Sequence, residues 1–193
     1  MPLTCFEFFC GNPIEKIFWG RIRLEAASAH LYFTGGSMVQ HSLHLLKYKS
    51  GKEIGIYFGQ QMGSSLKQSG RFNDCEIIIP LPLFAAREKK RGYNQALLIA
   101  EGISMKLKIP VIKDAVYRIK STETQTKKSR IQRWKNMEST FEVRNSKAIS
   151  GKHILLVDDV ITTGASLEAC GLALLKIPGI RLSIACLAHT VKA

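Results

Sequence analysis

His153-Ile154-Leu155-Leu156-Val157-Asp158-Asp159-Val160-Ile161-Thr162-Thr163-Gly164-Ala165-Ser166 is the most informative run of this chain. Ile154 to Val157 read as a strand buried on both faces, and two adjacent carboxylates end it. A loop of small, hydroxyl-bearing residues follows. Leu167 to Leu175 then reads as a helix. In open α/β sheets, ligands sit beyond the carboxyl ends of the strands, in loops that open onto helix N-termini. Free backbone N–H groups at such a terminus form an anion site. The run is therefore read as the place where an anionic, phosphorylated ligand is held.

Around this run the chain has ordinary globular bulk and an unusual charge. Its 193 residues suit one domain with a small appendage, and 46% apolar residues can build a core. The net charge of +13 points to a polyanionic partner: nucleic acid, acidic lipid or a phosphate-rich ligand. Five cysteines, an odd number, do not form a secreted disulfide framework. No leader-like segment and no membrane-spanning run appear, so a cytoplasmic location and no membrane insertion are expected. Cys5 and Cys10 form a C-x4-C pair, with His30, His41 and His44 as the nearest imidazoles. Two thiols without metal are preferred here over a zinc site, which ordinarily draws on two ligand pairs.

Two domains are expected, an N-terminal segment over residues 1–30 and a main domain over 31–193. The aromatic start, with Phe6, Phe8, Phe9, Phe18 and Trp19, is expected to pack on the main body. Helices are expected from Met38 to Tyr48 and over residues 53–67, the second burying Ile54, Tyr57, Phe58, Met62 and Leu66. At Cys75 to Pro80 a buried strand runs into prolines, where pairing should stop. A cationic loop, Arg87 to Arg91, follows, and then a helix capped by Asn94. This is a second strand–loop–helix unit. From Arg118 to Lys135 a basic stretch is too long for an ordinary connection and reads as a functional lid over a solvated basic helix. Alternating strands and helices over 76–188 predict a parallel sheet covered on both faces.

The chemistry of the opening run is specific. Thr162-Thr163-Gly164-Ala165-Ser166 carries no bulky side chain, so its backbone can close around a phosphate. It holds no lysine, which excludes a P-loop. Asp158 and Asp159 would repel a phosphate unless they accept hydrogen bonds from sugar hydroxyls or hold Mg²⁺ shared with the ligand. A ribose 5-phosphate satisfies both needs.

Val157 to Ser166 resembles the phosphoribosyl-pyrophosphate signature of the type I phosphoribosyltransferases. Leu46-Lys47-Tyr48-Lys49, Pro80-Leu81-Pro82-Leu83, Arg91-Gly92-Tyr93-Asn94-Gln95, Thr124-Gln125 and Arg133-Trp134-Lys135-Asn136 narrow the resemblance to the ComF family, over residues 31–190. It implies an α/β type I phosphoribosyltransferase-like fold with a parallel sheet, helices on both faces and a flexible hood loop. It implies that phosphoribosyl pyrophosphate binds with Mg²⁺ and that the phosphoribosyl group passes to an unidentified nitrogenous acceptor. Asp158 and Asp159 would be catalytic and would meet Mg²⁺ directly or indirectly. Thr162, Thr163, Gly164, Ala165 and Ser166 would hold the 5-phosphate. Lys47, Arg87, Arg91, Lys127, Lys128 and Arg130 would face the pyrophosphate, the last three from the hood. ComF proteins usually carry an N-terminal zinc-binding module with two cysteine pairs. Residues 1–30 would be a remnant of it, with zinc not expected in this chain.

A second reading stays open: a non-catalytic ComF-type competence protein that binds single-stranded DNA, works with competence proteins, or senses the ligand. Charge serves this role too. The oligomeric state is also open, with the aromatic N-terminal segment a candidate surface for a homo-oligomer.

Overall fold

The computed structural model describes residues 1–35, 38–46, 51–119 and 140–190. Four parallel strands form the central sheet: β1 (Ala26–Phe33), β2 (Ile77–Pro80), β5 (His153–Ile161) and β6 (Arg181–Thr190), in the order β1-β6-β5-β2. The segment around Val111 adds a bridge to Ile78 on the outer side of β2. A separate antiparallel ribbon joins β3 (Val116–Arg118) to β4 (Phe141–Val143). The basic stretch read as a lid lies between these two strands and falls almost wholly outside the described residues.

The chain leaves β2 toward the Val111 edge and leaves β5 toward β6. This divergence makes a topological switch point, where a crevice opens beyond the strand ends. The far edge, β1, is covered by the N-terminus, which pairs antiparallel through Leu3 and Leu31. Covering an edge this way removes a row of unpaired backbone groups that would otherwise template aggregation.

Two cores flank the sheet. On one face lie α1 (Pro13–Phe18), α7 (Ala165–Leu175) and the β3–β4 ribbon, around Ile14, Phe18, Ile154, Leu156, Leu174 and Ile184. On the other lie α2 (Met38–Leu45), α3 (Lys52–Ser69) and α5 (Gln95–Leu107), around Val39, Leu43, Met62, Ile99 and Leu155. A one-turn helix, α6 (Ser146–Ile149), precedes β5.

Several expectations need correction. The N-terminal aromatics divide: Phe6 and Phe18 are buried, while Phe8, Phe9 and Trp19 are exposed. Tyr57 is 58% exposed and off the buried face of α3. That face is set instead by Gly55, Gly59 and Gly63, spaced four apart against α5. A Cβ on Gly59 would come within 2.2 Å of the Ile99 carbonyl oxygen, and one on Gly102 within 2.3 Å of the Ile56 oxygen. Backbone thus packs on backbone, and the apolar side chains flank the seam. The Arg87–Arg91 run, expected as a loop, is helical: α4 spans Ala85–Arg91. Ala, Arg, Glu and Lys are all strong helix formers, and three cations in the last turn suit its negative dipole end. Gly92, with φ 84°, ends it in the left-handed region. Helix α2 ends at Leu45, and Tyr48, the expected end, falls outside the described residues.

Overpacking the glycine seam should be costly. Gly59→Val is expected to lower the unfolding free energy by about 3 kcal/mol, since neither backbone can yield. Urea denaturation checks it, and a loss below about 1 kcal/mol would contradict the close contact.

Candidate functional site

Strand β5 carries the acids. It runs past the expected end at Val157 to Ile161, so Asp158 and Asp159 lie within it. Its pairing with β2 stops at Pro80↔Val157, followed by one bond from Leu81 N–H to Val157 O at 2.8 Å. Prolines flank Leu81 on both sides, and proline is confined to the ends and edges of strands, so the strand stops here. Beyond that point β5 continues with β6 alone, and the β2 side opens. The carboxylates take up backbone there: Asp158 Oδ1 accepts the Asp159 N–H and Asp159 Oδ1 the Val160 N–H, each at 2.8 Å.

A cavity of about 520 Å³ fills this opening. Asp158, Asp159, Thr162 and Ser166 line it from β5 and the loop beyond, Arg87 and Arg91 from α4, and Arg118 from β3, with Leu81 to Leu83. Phe33, Leu43 and His44 complete the lining. A side pocket of about 90 Å³ is lined by Thr162 through Leu167. This is the cradle, where α7 begins with Gly164 at φ 73° as its N-cap. The first turn of α7 brings Ala165 and Ser166, so two of the five expected cradle residues are helical.

Of the expected cationic residues, Arg87 and Arg91 line the cavity. Both stand on α4, and Arg91 Nη1 donates to Gln95 Oε1 at 2.9 Å. Asn94 caps α5 as expected, accepting the Ala96 N–H, and its amide donates to Leu81 O at 3.0 Å. That bond ties the helix start to the proline step. Lys47, Lys127, Lys128 and Arg130 lie outside the described residues.

Sequence reading missed Arg118. It ends β3, stacks 5.5 Å over the Phe141 ring and bridges to Phe84. Burial and the neighbouring Arg87 lower its pKa, while Asp158 opposes the shift. The arginine begins a stretch read as a lid, and nothing local marks it as a cleft residue.

Asp158 is the most perturbed acid here. Loss of water first, and the Asp159 charge second, push its carboxyl well above the ordinary range, against the pull of Arg118. The thiols of Cys170 and Cys186 beside it are pushed up by the same dry surroundings. Such a displaced acid in a cleft marks a functional site. At the other end of β5, His153 Nε2 lies 3.7 Å from Cys75 Sγ and 2.9 Å from Ser183 Oγ. This pair is no nucleophile, because burial raises the Cys75 thiol to about 12 and lowers the His153 pKa.

Cys5 and Cys10 are exposed free thiols, and no group of three or more His, Cys, Asp or Glu suited to a metal occurs among the described residues. None of the described helices is long and apolar enough to cross a membrane.

Comparison with known proteins bears on this geometry. The model of the phosphoribosyl transferase domain family matches residues 93–191. Competence protein F of Haemophilus influenzae is 41% identical over 103 residues, covering 53% of this chain and 45% of that protein. Competence protein ComFC of Bacillus subtilis is 31% identical over 145 residues, covering 75% and 56%. The chain spans about half the length of these two relatives. The DNA utilization protein YhgH of Escherichia coli is 28% identical, covering 99% of this chain and 82% of its own. Among solved structures, adenine phosphoribosyltransferase from Saccharomyces cerevisiae aligns at a TM-score of 0.45 and 16% identity, covering 76% of this chain and 73% of that one.

The raised Asp158 pKa has a signed consequence. The folded state binds this proton more tightly than the unfolded state, so stability falls as pH rises from the ordinary carboxylate range through the raised value. Asp158→Asn removes that loss. Its melting temperature should exceed that of the unmodified chain by about 3 °C at pH 8, and by less at pH 5. An equal difference at both pH values would contradict the assignment.

Proposed function

Because the chain belongs to the phosphoribosyl transferase domain family, on its ComF branch, we propose that the cleft binds phosphoribosyl pyrophosphate and passes its phosphoribosyl group to a nitrogenous acceptor. The observation that carries the reading is one continuous cavity lined by two carboxylates, the hydroxyls of Thr162 and Ser166 at a helix N-terminus, and three guanidinium groups.

Each set of groups suits one part of the ligand. The cradle, with its backbone N–H groups and the hydroxyls of Thr162, Thr163 and Ser166, takes the 5-phosphate. Asp158 and Asp159 accept hydrogen bonds from the ribose hydroxyls. Arg87, Arg91 and Arg118 take the diphosphate, where guanidinium geometry favours paired contacts. Lys47, Lys127, Lys128 and Arg130 are assigned to the same diphosphate by resemblance. The acceptor nitrogen bonds to C1 of the ribose as the bond from C1 to the diphosphate oxygen breaks. Negative charge grows on the leaving diphosphate, and fixed cations aimed at it lower the barrier. A proton carried by the acceptor nitrogen leaves to solvent or to the departing diphosphate, so the acids need not remove it.

Magnesium fits the donor set. Two hard carboxylates at the cleft mouth are too few for an all-protein cage, and Mg²⁺ ordinarily combines one or two carboxylates with ligand oxygens and water. When bound, it would supply further neutralisation of the diphosphate.

The second reading is a DNA-handling role without catalysis. It is favoured by the names of the relatives, which refer to competence and DNA utilization, and by the +13 charge.

Titration calorimetry with phosphoribosyl pyrophosphate and Mg²⁺ tests the first reading. Binding is expected, and Asp158→Asn with Asp159→Asn should weaken it by about 100-fold, the loss of two charge-assisted contacts. Unchanged affinity would remove the acids from the site. Pyrophosphate release, screened across nucleobases, then identifies the acceptor.

Fluorescence anisotropy with a labelled oligothymidylate tests the second. A DNA role predicts binding that weakens by about tenfold or more between 50 and 200 mM salt, and salt-indifferent or absent binding would discard it.

A further inference from the structure

The reaction scheme leaves residues 1–30 without a part, yet they support the phosphate cradle from below. Helix α1 ends at Phe18, the chain turns, and the Arg21 N–H returns to Phe18 O at 2.9 Å. From that turn the Arg21 side chain reaches the loop after β5. Its Nη1 donates to Thr163 O at 3.0 Å and to Ile17 O at 3.0 Å, and its Nη2 pairs with the Glu168 carboxylate in the first turn of α7. Gly164 rests on the same support. A Cβ there would lie 2.9 Å from Ile17 Cγ2 and 3.0 Å from Phe18 Cε1.

We infer that Arg21 is a positioning residue for the phosphate cradle, holding the Thr163 carbonyl toward α1 so that the Gly164 N–H faces the bound phosphate. The inference rests on the phosphoribosyl reading of the cleft. The physical step is the planarity of the peptide unit. In a trans peptide the C=O of one residue and the N–H of the next point in opposite directions. Fixing the Thr163 oxygen on the α1 side therefore fixes the Gly164 N–H on the other. Thr162-Thr163-Gly164 has no side chain large enough to fix that plane by packing, and glycine itself does not restrict it. A rigid external donor is required, and a guanidinium fork bonded to two carbonyls and a carboxylate is one.

The ion pair alone does not explain the arrangement. The Arg21 side chain is 35% exposed, and pairs at such exposure add little stability. Neutralising Glu168, whose charge would oppose a phosphate at the same helix end, is a separate benefit. The two effects can be separated.

The test is titration calorimetry on the full chain with ribose 5-phosphate, and separately with inorganic pyrophosphate plus Mg²⁺. Arg21→Met is expected to bind ribose 5-phosphate about tenfold more weakly, the loss of one well-placed hydrogen bond. Its affinity for pyrophosphate should stay within about twofold. The double variant Arg21→Met with Glu168→Gln should remain as weak as Arg21→Met. Unchanged ribose 5-phosphate affinity overturns the inference, as does parallel weakening toward both ligands, which would mark a purely structural role. Recovery in the double variant also overturns it in favour of charge neutralisation. If the unmodified chain binds no ribose 5-phosphate, the phosphoribosyl reading falls and this inference with it. Should Arg21→Met not fold, Arg21→Lys carries the test. It keeps the charge beside Glu168 but lacks the fork, so selective loss of ribose 5-phosphate affinity supports the inference and unchanged affinity overturns it.

Discussion

The cleft depends on where one β-ladder stops. Strand β2 pairs with β5 until Pro80, and Leu81 adds one last donor. Prolines stand on both sides of Leu81, and proline is confined to the ends and edges of strands. The pairing ends at this step while β5 continues on β6, and the strand end is left open on one side. Helix α4 brings Arg87 and Arg91 to the same cavity as the acids. Asn94 holds the step from behind through Leu81 O. The position of the acids, the cations and the cavity all follow from where one ladder stops.

That opening is not comfortable for the charges placed in it. Asp158 lies among buried thiols and beside a second carboxylate, and its carboxyl is pushed up for both reasons. Arg118 is pushed down by burial and by Arg87. Acids and guanidinium groups that line one cavity suit a ligand that carries both hydroxyls and phosphates. The Cys75–His153–Ser183 cluster shows the contrast. It has groups suited to nucleophilic chemistry, but it is closed and dry, with His153 Nε2 held between Cys75 and Ser183. Burial beside a cavity creates reactivity, and burial without one removes it.

The parts of this fold that follow local rules were legible. An apolar run before two acids, a loop of small residues and a helix form a contiguous pattern, and Asn94 before an amphipathic run is a cap by its chemistry. The proline step was legible because proline has one physical consequence in a sheet. What escaped reading were contacts between distant segments. Arg118 sits in a stretch dominated by like charges, so its single role in the cleft has no local mark. Helix α4 was read as loop because its charge drew more attention than its helix propensity. Strand β1 begins with Ala26, Ala27 and Ser28, which lack the branched side chains that announce a strand, although all three are buried. The glycine seam of α3 was hidden for the same reason: the residues that set the contact are those with no side chain to display periodicity.

The cradle carries this last point to the site itself. A loop that must let a phosphate approach its backbone cannot carry bulky side chains, and so it cannot anchor itself in the core. Close approach and rigidity make opposite demands on the same residues. The chain separates them. Thr162 to Ser166 keep the ligand side open, while Ile17, Phe18 and Arg21, from a segment far away in sequence, stiffen the loop from the opposite side. The Arg71–Glu15 pair and the bond from Arg71 to Phe9 O in turn hold that segment to the end of α3. The N-terminal residues therefore belong to the architecture of the phosphate end of the cleft. A motif written in small residues is only half of a binding element, and the other half is whatever packs beneath it.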